Sequence, residues 1–118
     1  MKKEEIVNTK IQKIAIGTDE LFSIFYEKKY DNYNNLVRNS NYKIYTTIMN
    51  IAELFHRIHD KNKFEKIYNE IKKFIIIEKY YLDDNFEEEY VKEYENNNIF
   101  SFTLLKFCNH NNITNIIM

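Results

Sequence analysis

Hydrophobic residues recur along this chain mostly at the three- and four-residue spacing of a helix face. Val7, Ile11 and Ile14 predict a helix over about residues 3–16, stopped at Gly17. Thr18 then suits an N-cap, with Asp19 and Glu20 in the first turn, where a helix dipole favours negative charge. Leu21, Phe22, Ile24 and Phe25 supply the apolar side of this second helix, which ends near Lys28 and Lys29. A short third piece places Tyr30, Tyr33 and Val37 on one side. The clearest periodicity spans residues 42–59, where Ile44, Ile48, Ile51, Phe55 and Ile58 follow one helical stripe.

Asn62, with Glu65 three residues on, reads as a capping box for the next helix. That helix runs to about residue 82 with Phe64, Ile67, Ile71, Phe74 and Ile75 inside. Residues 74–77 would also suit a strand, because β-branched side chains favour extended backbone. The stripe enters them in phase, so helix is preferred. Residues 83–85 read as a loop and cap, and residues 86–95 as a helix with Phe86, Tyr90 and Tyr94 in line. Residues 96–98 are a linker, and 99–108 a last helix carrying Phe100, Leu104 and Phe107. The tail, residues 113–118, docks through Ile116 and Ile117 or frays.

The chain of 118 residues supports one domain, residues 1–118, and its hydrophobic content of 44% supplies a core. There is one glycine and no proline, which argues against hairpins, a β-sandwich, a Rossmann-like domain and phosphate-cradling loops. The expectation is an all-α protein: a compact bundle of about six helices, with helical hairpins as a candidate building unit. At an offset of ~34 residues, the tetratricopeptide period, Leu21, Ile24, Tyr30, Tyr33 and Val37 fall on Phe55, Ile58, Phe64, Ile67 and Ile71. Residues 51–74 faintly resemble one tetratricopeptide unit. They depart from it where small residues should let paired helices approach, since Leu21, Phe55, Tyr33 and Ile67 stand there.

The net charge of −1 favours neither nucleic acid nor an anionic membrane, and Arg38 and Arg57 are the only arginines. Cys108 stands alone, which excludes an internal disulfide and fits a reducing compartment. With no apolar run after the first lysines and none long enough to span a bilayer, the expected location is cytoplasmic, without a membrane partner. Ile, Lys, Asn, Glu, Tyr and Phe dominate, and their A- and T-rich codons point to a low-GC genome such as a virus, phage or mobile element can carry.

Glu53, His56 and His59 are spaced so that neighbouring pairs could meet one metal ion, but no second Glu-x-x-His exists to complete a carboxylate-bridged site. Cys108 and His110 lack a third, orienting group for nucleophilic catalysis. No cofactor or metal is expected. The most concentrated feature is acidic. Asp83, Asp84, Glu87, Glu88, Glu89, Glu93 and Glu95 stand against Lys92 alone, with Tyr90 and Tyr94 interleaved. This layout predicts a non-enzymatic protein–protein interaction module, an adaptor, inhibitor or immunity-type protein. It would dock on a basic partner surface through Asp83, Asp84, Glu87, Glu88, Glu89, Tyr90, Glu93 and Tyr94. The alternative is a small nucleic-acid-binding regulator that uses Lys61, Lys63, Lys66, Lys72, Lys73 and Lys79, with Tyr68, Tyr80 and Tyr81 among them. Glu65, Glu70 and Glu78 dilute that charge and disfavour it.

Overall fold

A computed structural model of the chain describes residues 11–31, 34, 41–79, 85–93 and 98–118. In chain order it contains β1 (Gln12–Ile16) and α1 (Thr18–Leu21), which runs on as a π-helix over Phe22–Tyr26. β2 (Tyr42–Thr47), α2 (Ile48–Ile58), α3 (Lys61–Phe74) and β3 (Ile75–Glu78) follow. α4 (Phe86–Glu93), α5 (Ile99–His110) and β4 (Asn115–Ile117) complete it.

The strands form one parallel sheet of order β3-β2-β1-β4. The fold is therefore mixed α/β, which corrects the expected all-α bundle and with it the tetratricopeptide likeness. The register sets Ile14 against Ile44 and Asn115, and Ile44 against Ile75. β2 and β3 extend the sheet to one side of β1, while β4 returns to the other. Helices cover both faces. Ile14, Ile16, Ile44 and Ile75 bury into one cluster with Leu21, Ile24, Phe25, Leu54, Ile67 and Ile71. Ala15 enters a second cluster with Leu104, Phe107, Cys108 and Ile113.

The residues read as helix at 12–16, 42–47 and 75–78 are strands for one physical reason. A parallel strand covered on both faces is apolar throughout, so it lacks the alternation of a half-exposed strand. Ile14, Ala15 and Ile16 are all buried. In β2 every residue but Lys43 is β-branched or aromatic, and β3 opens with three isoleucines. The stripe from Ile44 to Ile51 and Ile58 crosses a strand–helix boundary because all three residues feed one core. On α2 the third inward residue is Leu54, fully buried, whereas Phe55 is 43% exposed.

The scarcity of glycine does not oppose this fold, since helical crossovers need no tight hairpin. Helix starts are capped by side chains instead. Thr47, Asp60 and Asn98 accept from the backbone N–H groups of Asn50, Lys63 and Ser101. Asp60 therefore caps α3, in place of the expected Asn62. Left-handed backbone, where glycine is commonest, falls on Lys28 (φ 61°), His59 (φ 58°) and Asn112 (φ 56°). Gly17 serves a close approach: a Cβ there would lie 3.2 Å from the Met118 Cα, beside β4. Its N–H donates to the Ile117 carbonyl at 2.8 Å. Among the described residues, no helix is long and apolar enough to cross a membrane.

Candidate functional site

Open α/β sheets commonly bind ligands beyond the carboxyl ends of their strands, where the winding direction reverses. Here that place lies between β1 and β4, and its polar groups are turned inward. The Asn50 Nδ2 donates to Thr18 Oγ1 at 3.1 Å, and the Thr47 hydroxyl donates to Asn50 Oδ1 at 2.6 Å. The Thr46 hydroxyl donates to the Ile16 carbonyl at 2.8 Å. All four side chains are buried. This cluster ties the end of β1 to the end of β2 and presents nothing to a ligand.

A groove of about 460 Å³ opens elsewhere, between the π-helical segment and α3, lined by Phe25, Tyr26, Lys28, Lys63, Lys66, Ile67 and Glu70. Lys63, Lys66, Ile67 and Glu70 stand at i, i+3, i+4 and i+7, so one face of α3 makes one wall. Phe25 and Ile67 are buried at its base, while Tyr26 is 38% exposed at the rim. The Lys63 ammonium sits 5.8 Å from the centroid of the Tyr26 ring, which also stacks on Phe22 at 4.7 Å. Among the described residues, Lys28, Lys63, Lys66 and Glu70 form no ion pair. Three cations thus face one carboxylate in the groove.

The second wall is built from backbone that carries strain. The Glu27 N–H donates to the Phe22 carbonyl five residues back, a π-type bond. The Lys29 N–H reaches the Ser23 carbonyl, which leaves Lys28 at the left-handed position that closes the helix. A side chain there costs about 1 kcal/mol relative to glycine. Strain of this kind gathers at working sites, where the surrounding structure holds a side chain in place.

The predicted docking helix is differently arranged. Asp83, Asp84, Tyr94 and Glu95 lie outside the described residues, and Glu87 and Glu93 belong to the backbone of α4. Phe86 is buried and Tyr90 half-buried, both packed on Phe102 of α5, with ring centroids 5.2 and 5.4 Å apart. Glu89 is ion-paired with Lys106. Glu88, Val91 and Lys92 are exposed. The described aromatic residues of this helix therefore pack inward, apart from the exposed charge.

Of the other candidates, Glu53 lies 3.8 Å from Arg57, which also pairs with Asp19. His59 is the left-handed cap of α2. Among the described residues, no group of three His, Cys, Asp or Glu side chains is placed to hold a metal. Tyr80 and Tyr81 lie outside the described residues, and Lys72 sits over the Tyr68 ring at 4.5 Å. The wall of Phe25, Tyr26 and Lys28 had only one sequence signal, the basic turn at Lys28 and Lys29.

Cys108 is buried, and that burial pushes its thiol up to about 11. An unfolded thiol ionises at about 8.5, so the stability held by the neutral thiol is complete below that pH and fades as pH rises toward 11. At pH 8 a disulfide reagent should label Cys108 at least ~100-fold more slowly than free cysteine, and urea should restore the rate. Rapid labelling of the folded protein would show the thiol to be open to solvent.

No protein-family model, curated protein or solved structure matches the chain.

Proposed function

We propose that this chain is a small, non-enzymatic module that binds single-stranded nucleic acid in the groove between the π-helical segment and α3. One observation carries the reading. Three lysines without ion-pair partners among the described residues and an exposed aromatic ring share one groove, and one of those lysines is held in strained backbone. Lysines neutralise phosphates, and a ring offers a face on which a base can stack whatever its identity. The net charge of −1 adds no long-range attraction, so affinity rests on local contact and falls in the micromolar range, roughly 10⁻⁶ to 10⁻⁴ M.

Fluorescence anisotropy with labelled single-stranded oligonucleotides tests this. Three phosphate contacts give a log–log salt slope of about −2. Lys28→Gly should raise stability by about 1 kcal/mol, by relieving the left-handed strain, yet weaken binding and flatten that slope. An absence of binding at about 50 mM salt, or unchanged binding by Lys28→Gly, would remove the reading. Docking of a basic protein on α4, where Glu88 and Val91 are exposed, would then be the reading to pursue.

A further inference from the structure

Glu70 is the residue in the groove that phosphate binding does not explain. It lies on the same face of α3 as Lys63 and Lys66, one helical turn beyond Lys66, and it has no cationic partner among the described residues. A carboxylate in this position repels phosphate. It becomes favourable when the strand brings a hydrogen-bond donor to the same place. Within a strand the 3′ oxygen is esterified, so the sugar hydroxyl free to donate is the 2′-OH of RNA, next to a phosphate. Base donors are the other possibility, but the order of groups along α3 places them elsewhere. Tyr26, the stacking ring, sits by Lys63 at the start of the helix, and Glu70 stands about two turns away with Lys66 between.

We infer that the groove takes ribonucleotide strands in preference to deoxyribonucleotide strands, with the Glu70 carboxylate accepting from a 2′-OH next to a phosphate held by Lys66. This rests on the nucleic-acid reading above and adds sugar discrimination to it. Lys66 and Glu70 act as a pair, the lysine fixing the phosphate and the carboxylate reading the adjoining sugar. The 2′-OH is the group by which a protein tells RNA from DNA at a given site.

The test compares adenine-only oligonucleotides of equal length in three forms, ribo, deoxyribo and 2′-O-methyl, so that base donors are the same throughout. The ribo strand should bind roughly threefold to tenfold tighter than either of the others. Glu70→Gln should strengthen binding of the deoxyribo strand by removing repulsion, and should narrow the ratio between sugars. Equal binding of all three strands by the unmodified protein would overturn the sugar inference while leaving the nucleic-acid reading in place. The sugar inference would fall in the same way if Glu70→Gln strengthened every strand alike with the ratio unchanged, since Glu70 would then be a repulsive charge alone. Failure of all three strands to bind would remove both.

Discussion

Replacing Asn50 by alanine should destabilise the protein by about 2–4 kcal/mol, seen as a lower urea midpoint with unchanged slope. The magnitude follows from where the amide sits. Asn50 is 1% exposed, and its side chain joins Thr18, just beyond β1, to Thr47, the last residue of β2. Alanine leaves the Thr18 oxygen without its amide donor and the Thr47 hydroxyl without its acceptor, both in a buried place. It also leaves the volume of a carboxamide empty. Asn50→Asp should be worse near neutral pH, because a buried carboxylate has no cation there and can donate nothing to Thr18. A loss below about 1 kcal/mol for Asn50→Ala would mean that water takes the place of the amide.

The second large effect concerns the groove. Lys63→Glu combined with Lys66→Glu should weaken strand binding at least ~100-fold, equivalent to about 2.7 kcal/mol. Stability should stay within about 0.5 kcal/mol, since both side chains are exposed and neither is ion-paired to a described residue. The decisive control is Lys61→Glu with Lys72→Glu. These lysines lie on the same helix but on the side away from the groove, so the change in net charge is identical and only its position differs. Equal losses from the two double variants would make binding a matter of overall charge. A loss confined to the groove pair would locate the strand.

Much of the helical half of this fold was legible in the sequence. α3 and α5 begin at or within two residues of their expected starts, and Gly17 and Thr18 mark the entry to α1. The sheet was not legible, because its strands lack the alternation that announces a half-buried strand. Ile14, Ala15 and Ile16 are buried on two opposite faces, and Ile44 continues in phase into the stripe of α2. The scarcity of glycine misleads at Lys28 and His59, which take left-handed backbone at an energetic cost that no composition reveals.

The site divides the same way. The cationic face of α3 can be read from the spacing of its lysines. Its opposite wall depends on how Phe25, Tyr26 and Lys28 pack across the chain, and on a π-helical turn with no sequence signature. The acidic helix shows the converse. Its charge is evident in the sequence, but the aromatic line beneath it is used within the fold, where Phe86 and Tyr90 hold α4 against Phe102.

The strand order also governs how the chain assembles. β1 meets β2, and β2 meets β3, between residues about thirty positions apart, as Gln12 with Tyr42 and Ile44 with Ile75. β1 meets β4 across about a hundred positions, as Ile14 with Asn115. Closing the longer loop costs about 1 kcal/mol more in chain entropy, and β4 offers only three residues of pairing in return. The β1–β2–β3 side is therefore the easier one to nucleate, and β4 adds to an edge already formed. Until it does, the central strand of the finished sheet is a border strand, with its backbone open to any chain that can pair with it.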